Sequence, residues 1–539
     1  MQRSILILSG HVSSGKSTLS SGLGNEFGFS VFKTGEYLIE KVRKAPLDRK
    51  SLQIAGEALD KSSKGKWVLE GLERYLLVKQ EATRICVDSV RIKPQIDHIR
   101  KRFGVNVLHV HLRADLSKLK GRYSERGSHK IRELESFSKV LENRTEQKVD
   151  ELSNCADLLI DTGRNTPNDV LARVAARLGL YGREVGRLVD VVVGGQYGSE
   201  GKGNIAAFIA KEYDFLVRVG GPNAGHKVYA EPKPITFHQL PSGSTRSAAK
   251  LIIGPGAVIN PQTLKEEINE FGIEQDRLFI DPQATIIVDE HIKAEARLVK
   301  KIGSTGQGVG IAAANRIVLR SDPKKVLLAK DVKGLKPYIK SSLEIYERAF
   351  RDGKKILLEG TQGTALSLYH GHYPHVTSRD TTVAGCLAES GIAPTRVRKV
   401  IMVCRTYPIR VQSPKGNTSG WMSQEITLKD ISERSGISLV ELEATETTST
   451  TKRKRRIAEF DWKLLRTAAS LNGPTDIALT FVDYLDLRNK DARRFGQLTP
   501  DTIQFVEEVE RVAAAKVSLI STRFSHRNII DRRNWGENW

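Results

Sequence analysis

Two glycine-rich loops carry the residues best suited to chemistry. The first, Gly10–Thr18, reads GHVSSGKST and fits GxxxxGK[ST], with the apolar run Ser4–Leu8 before it and a helix-forming stretch after it. Such a loop turns backbone N–H groups toward phosphates. Gly10, Gly15 and Thr18 would line that cradle, Lys16 would reach the β- and γ-phosphates, and Ser17 would ligate Mg²⁺. Asp88 ends the apolar stretch Arg84–Val87, where a Mg²⁺-linked carboxylate belongs. Arg122 and Arg126 stand four apart and could clamp a transferring phosphate. The second loop, Gly194–Gly203, reads GGQYGSEGKG and follows the apolar run Leu188–Val193. Five residues separate Gly195 from Gly201, and Lys202 is followed by glycine, so this is an anion loop of another lineage. Gly198, Gly201 and Gly203 would let backbone approach phosphate, Lys202 would neutralise it, and the residue best placed as a base is Ser199. Two nucleotide sites imply two phosphoryl-transfer chemistries.

The elements that must hold these loops alternate. Strands are expected at Ser4–Leu8, Trp67–Glu70, Arg84–Val87, Val107–Leu112 and Leu158–Ile160. Helices are expected at Ser17–Phe27, Ile92–Phe103, Leu116–Arg126 and Asn168–Leu178. This alternation predicts an α/β fold with a parallel sheet covered on both faces. The glycine-bounded segment Gly182–Gly186 marks a boundary between an N-terminal P-loop domain (1–182) and a larger α/β domain (187–539).

Length and composition narrow the class. A chain of 539 residues suggests two to four domains, and 39% apolar residues suffice for globular cores. No stretch is long enough to span a membrane and no secretion signal opens the chain, so a cytoplasmic location is expected. Cys86, Cys155, Cys386 and Cys404 form no CxxC and read as reduced and buried. A formal net charge of +22 favours anionic partners, either nucleotides or nucleic acid. Aromatic residues make up 6% and are not interleaved with basic segments, which argues against a single-strand stacking platform. Nucleic acid and membrane are therefore not expected partners.

Residues 1–180 resemble the nucleoside monophosphate kinase superfamily through the phosphate loop, Lys33–Glu36, Val87–Arg91, Arg122–Arg126 and Ala156–Thr162. The resemblance implies that Thr34 and Arg91 contact a monophosphate acceptor. Ile39 and Glu40 stand where adenylate kinases carry an arginine, so the acceptor base stays open. From Asp190 onward the chain resembles adenylosuccinate synthetases. The motifs are Gly195–Gly203, Gly220–His226, His238–Gly243, Gly303–Gly310, Leu358–Gly363, His370–Ser378 and Thr450–Arg456. Those enzymes join L-aspartate to C6 of inosine monophosphate, usually using GTP and Mg²⁺. The resemblance implies His226 as the catalytic histidine and Asn223, Thr305, Gln362 and Thr377 as mononucleotide contacts. It also implies Thr451, Arg453 and Arg455 as aspartate ligands, and Ser199 with the Gly225 carbonyl as Mg²⁺ ligands. A homodimer is implied too, with Arg316 or Arg320 reaching across to the neighbouring site.

One departure bears on the substrate. Ordinary members carry aspartate at the position of Ser199, where it takes the N1 proton; a serine is no useful base near neutral pH without an activator. An inactive domain, Glu200 as base, water as base, and a different purine all remain open. The last has a physical warrant, because a short neutral hydroxyl leaves room for the C2 amine of guanine. The same change marks the phage and archaeal 2-aminoadenylosuccinate synthetases, which use GMP-type substrates and an ATP-type donor. The donor is open between ATP and GTP: Asp483 could bind guanine, while Phe481 stands where the family has lysine and could stack on any purine. The expected activity is an aspartate–purine ligase favouring dGMP or GMP over IMP or dIMP, fused to a mononucleotide kinase. The competing class is a catalytically silent nucleotide sensor.

Overall fold

The computed structural model describes residues 3–42, 49–125, 136–181, 186–411, 419–446 and 455–533. The chain forms two compact units, Met1–Arg183 and Glu184–Trp539.

In the first unit five parallel strands lie in the order Ser30–Phe32, Arg84–Val87, Ser4–Ser9, Val107–Arg113 and Leu158–Asp161. Ile5 and Ile7 pack toward one face with Trp67, Leu72 and Ile96, while Leu6 and Leu8 pack toward the other with Leu19, Leu23 and Val174. Burial on both faces is what the unbroken apolar strands demand. Four of the expected strands and the expected helices are present, to within a residue or two at most described ends. Trp67–Glu70, expected as a strand, opens the helix Trp67–Val78 instead. Its apolar residues continue at helical spacing as Leu69, Leu72 and Leu76, all buried, so the short apolar run was part of a longer 3.6-residue pattern. The strand Ser30–Phe32 and the helices Thr34–Val42 and Arg49–Ser63 lie outside the expected elements. The helix carrying Arg122 ends at Ser124, and Arg126 lies outside the described residues. Cys86, Cys386 and Cys404 are buried free thiols, whereas Cys155 is half-buried.

The second unit is built on nine strands. Their order is Leu278–Ile280, Lys250–Ile253, Phe215–Arg218, Ile356–Glu359, Val189–Gly194, Val397–Arg405, Asp476–Thr480, Lys516–Ser521 and Ile529–Asp531. All pairings are parallel except the last. Val189–Gly194 is entirely buried, with Val191 and Val193 on one face and Val192 on the other. From this central strand the chain first builds outward on one side, then crosses to the other at Val397–Arg405. The loop after Val189–Gly194 therefore stands at the switch point of the sheet, where open α/β sheets form their ligand crevice.

Candidate active sites

In the second unit the carboxyl ends of neighbouring parallel strands deliver their loops to one edge. Gly194 leads into the glycine loop and then the helix Lys202–Ile209; Arg218 leads to the turn before His226; Glu359 leads to Gln362; Thr480 leads to Phe481 and Asp483.

The glycine loop folds around its own carboxylate. Glu200 is fully buried; its Oε1 accepts the N–H groups of Gln196 (3.1 Å) and Gly198 (2.8 Å), and its Oε2 accepts Lys202 Nζ at 2.6 Å. The amide of Gly198 and the ammonium of Lys202, both assigned to phosphate from sequence, are thus engaged inside the loop. Thr480 Oγ1 donates to the Glu200 carbonyl at 2.6 Å and ties the loop to the next strand but one. Gly198, Ser199 and Gly201 all take positive φ, which curls the loop so that Ser199 is exposed at its tip. Gly201 caps the helix, leaving the amides of Lys202 and Gly203 in the helix's first turn, where an anion is favoured. Gly203 has a second role: a Cβ there would lie 2.8 Å from His226 Cβ and 3.0 Å from Ser242 Oγ, so glycine is what lets this helix approach His226.

His226 is buried, and its Nδ1 hydrogen-bonds Glu359 Oε1. Glu359 also accepts Ser242 Oγ, the Ser242 amide at 2.7 Å and Arg218 Nη1 at 3.3 Å. Arg218 reaches on to the Ala224 carbonyl at 2.9 Å and so pins the turn before His226. Burial, reinforced by Arg218, pushes the His226 imidazole down to about 4 despite the pull of Glu359. Burial alone would raise the Glu359 carboxyl, but Arg218 and His226 outweigh it and hold it at about 2. The pair is therefore a neutral imidazole giving its Nδ1 proton to a carboxylate, with Nε2 left for a ligand. Glu359, Arg218 and Ser242 were not singled out from sequence as site residues. A carboxylate inside the motif Leu358–Gly363 was the available signal.

Asn223 Oδ1 is buried without a hydrogen-bond partner among the described residues. Its turn packs against the segment bearing Thr305, since a Cβ on Gly221 would lie 2.8 Å from Val309 Cγ2. Thr305 is half-buried between the helices Asp289–Ile302 and Val309–Val318. Gln362 takes φ 60° and its Oε1 accepts Thr361 Oγ1 at 2.7 Å; its Cα would be 3.7 Å from a Cβ on Gly198. Thr377 is half-buried and its amide reaches the Leu366 carbonyl at 2.8 Å. The glycine loop, Asn223 turn, Gln362 and Thr377 are thus gathered on one edge.

Thr451 and Arg453 lie outside the described residues. Arg455 begins the strand Arg455–Ala458; its Nη1 donates to Glu446 Oε2 at 2.8 Å, and its buried Nε has no hydrogen-bond partner among the described residues. Glu446 also accepts Arg405 Nη2 at 2.7 Å and Tyr484 Oη at 2.9 Å. Arg405 lies 4.0 Å from the centre of the Phe481 ring and so covers one of its faces. Asp483 Oδ1 is buried without a hydrogen-bond partner among the described residues, and burial pushes its carboxyl up to about 7. Arg316 is held within its own unit by the Gln283 carbonyl (2.6 Å) and Thr285 Oγ1 (2.8 Å), while Arg320 is exposed beside exposed Ile317 and Val318.

The first unit holds a cleft of 640 Å³ lined by Gly15, Lys16, Ser17, Thr18, Thr34 and Asp88, among others. Lys16 Nζ lies over the loop, donating to the carbonyls of Gly10 (2.8 Å) and His11 (2.7 Å). Asp88 is raised by burial, a rise that Lys16 opposes. Thr34 Oγ1 donates to the Ser89 carbonyl at 2.8 Å, and Arg91 pairs with buried Glu146. Arg122 turns both Nη groups onto Thr162, at 2.9 and 2.7 Å. Among the described residues no group of three or more His, Cys, Asp or Glu side chains could cage a metal, and no helix is long and apolar enough to cross a membrane.

The adenylosuccinate synthetase family model matches residues 191–328 and 324–490. The adenylosuccinate synthetase of Pyrococcus horikoshii is 36% identical over 353 residues, which is 64% of this chain and 98% of that protein. The Methanocaldococcus jannaschii enzyme is also 36% identical over 353 residues, covering 64% and 96%. The structure of fully ligated adenylosuccinate synthetase from Plasmodium falciparum superposes with a TM-score of 0.57 at 21% identity, covering 64% of this chain and 100% of that one. Cyanophage S-2L succinoaminodeoxyadenylate synthetase, solved bound to dGMP and dATP as an energy donor, gives a TM-score of 0.55 at 27% identity, covering 65% and 97%. The chain belongs to the adenylosuccinate synthetase family of ligases.

Proposed function

We propose that the second unit joins L-aspartate to C6 of dGMP or GMP, giving 2-aminoadenylosuccinate, with an ATP-type donor. The observation that carries this reading is the loop itself: Ser199 is exposed and neutral, and the neighbouring Glu200 is sealed inside and engaged by three donors. No loop carboxylate is left to face a purine edge, so the C2 amine of guanine meets no carboxylate crowding it and can donate to Ser199 Oγ. The same geometry removes Glu200 as a substitute base. The cyanophage relative bound to dGMP and dATP supports the same substrate and donor.

An amide-like carbonyl is a poor electrophile because oxide does not leave. Moving the γ-phosphoryl group onto O6, as the N1 proton passes to water and the nucleoside diphosphate departs, turns that oxygen into a phosphate ester, which the aspartate amine can displace as inorganic phosphate. His226 fits this step: Glu359 fixes its Nδ1, leaving Nε2 toward the reacting oxygens. Approach of anionic phosphate favours the protonated ring, which can then donate from Nε2 as charge develops. The first-turn amides of Lys202 and Gly203 receive phosphate, and Asn223 and Gln362 orient the mononucleotide. Arg455 Nε, with Thr451 and Arg453, takes the carboxylates of aspartate. Asp483 Oδ1 and the half-buried ring of Phe481 receive the donor base.

Mg²⁺ would neutralise the triphosphate. Ser199 Oγ and the Gly225 carbonyl, both oxygen donors, would hold the ion; among the described residues no group of three or more His, Cys, Asp or Glu side chains could cage a metal. In the first unit Ser17 and Asp88 are the matching pair. We read that unit as a mononucleotide kinase, on its phosphate loop and the cleft beside it. A homodimer with Arg320 crossing to the neighbouring site suits the exposed Ile317–Arg320 stretch, since Arg316 is tied at home.

The test is incubation of the full chain with dGMP, GMP, dIMP or IMP, plus aspartate and ATP or GTP, with mass detection of the succinyl adduct. The reading expects dGMP or GMP with ATP to give most product. A clear preference for IMP or dIMP overturns the substrate assignment, and no adduct from any pair overturns the ligase.

A further inference from the structure

The far end of the first unit's cleft is walled by Leu38, Leu52 and Trp67, flat apolar surfaces that suit a base. Two carboxylates enter it from one helix, Arg49–Ser63. Glu57 and Asp60 are three residues apart and share a helical face. Each has one oxygen occupied. Glu57 Oε1 accepts Asn143 Nδ2 at 2.8 Å and Thr145 Oγ1 at 3.2 Å. Asp60 Oδ1 accepts Trp67 Nε1 at 2.7 Å and Gln95 Nε2 at 2.8 Å. These bonds fix both side chains in place. Glu57 Oε2 and Asp60 Oδ2 receive no hydrogen bond from the described residues. Gln95 is itself committed, its Oε1 accepting the Arg91 amide at 2.8 Å.

From this we infer that the cleft takes a mononucleotide whose base presents two separate hydrogen-bond donors on its Watson–Crick edge, a purine bearing a 2-amino group. The count decides it. Adenine, hypoxanthine, cytosine and thymine each offer one donor group on that edge. Guanine offers N1–H and the 2-amino group; 2,6-diaminopurine offers its two amines. A base with one donor covers a half-buried carboxylate oxygen without matching it, which is the costly kind of mismatch. The two 2-aminopurines share the required chemistry and differ only at C6. The inference rests on reading this unit as a kinase, and both bases stand next to the ligase chemistry of the second unit: one as substrate, the other as what remains if the succinyl group of its product is eliminated.

The experiment uses the full chain with ATP and Mg²⁺, and measures diphosphate formation from dGMP, 2,6-diaminopurine deoxyribonucleoside monophosphate, dAMP, dIMP and dCMP. The two 2-amino substrates should exceed the others in kcat/KM by about tenfold to about a hundredfold. The comparison between these two tells a 6-oxo from a 6-amino acceptor. Glu57→Gln, which keeps an acceptor for Asn143 and Thr145, should remove most of that advantage, cutting kcat/KM for dGMP more than for dAMP. Equal or better turnover of dAMP or dIMP overturns the inference, as does an undiminished dGMP preference in Glu57→Gln. If no acceptor is phosphorylated, the kinase reading fails. Equilibrium dialysis then decides the base preference: a larger loss of dGMP binding than of dAMP binding in Glu57→Gln sustains it, and equal losses or none overturn it.

Discussion

Glu359→Gln is the most informative single change in the ligase unit. The native carboxylate receives His226 Nδ1, Arg218 Nη1, Ser242 Oγ and the Ser242 amide. A glutamine keeps one acceptor oxygen and places an NH₂ group against donors. Arg218, 3% exposed, then loses its buried counter-charge. Breaking such a pair costs on the order of 3–5 kcal/mol of stability. The imidazole then faces a neutral amide oxygen in place of a carboxylate, so its Nδ1 proton is held less firmly and the protonated ring loses its counter-charge. Loss of a positioned proton donor is worth about 10²–10⁴ in rate, and that range bounds the expected fall in kcat. Adduct formation should be followed beside mononucleotide affinity and thermal unfolding: kcat falls by at least about a hundredfold, while affinity of the still-folded variant changes by less than about threefold. Because Glu359 acts through His226, adding His226→Ala should cost little more than either change alone. A kcat within about threefold of wild type, or fully additive losses, would refute the reasoning.

Other consequences are direct. Ser199→Asp adds a carboxylate at an exposed αL position that aspartate tolerates. It should move the IMP-to-dGMP adduct ratio at least about tenfold toward IMP, and an unchanged ratio would dismiss Ser199 as the selector. Gly203→Ala drives a methyl toward His226 and Ser242. Thermal unfolding should register a cost of about 1–3 kcal/mol, and turnover should fall with it. Lys16→Ala should abolish phosphoryl transfer by the first unit while adduct formation proceeds unchanged, checked by running both assays on one preparation. Asp483 titrates near 7 in the fold, above the ordinary carboxyl range. Its contribution to stability is therefore present at low pH and lost as pH rises through 7, so Asp483→Asn should melt higher than wild type at alkaline pH and lose that margin at acidic pH.

The loops were legible because their chemistry forces rare patterns: phosphate cradles need glycines at fixed spacing between a strand and a helix. Gly10–Thr18 and Gly194–Gly203 could therefore be placed from sequence. What stayed hidden depends on long-range partners. Glu359 and His226 are separated by 133 residues, and only the adjacency of parallel strands brings them together. Nothing local distinguishes Glu200, turned inward on Lys202, from a glutamate facing substrate. Trp67–Glu70 was misread because four apolar-rich residues carry no periodicity of their own; Leu72 and Leu76 supply it only when the window is widened. Glu57 and Asp60 went unremarked because a helix with acidic residues looks solvated until the cleft beside it is known.

The central claim is that O6 of a 2-amino-6-oxopurine nucleotide departs as phosphate while aspartate takes its place. The direct measurement labels O6 of dGMP with oxygen-18 and follows it by mass spectrometry after adding aspartate and ATP. The label should appear in inorganic phosphate, one atom for each aspartate adduct formed. Adduct without labelled phosphate, or ATP consumption with no adduct at all, would contradict the account.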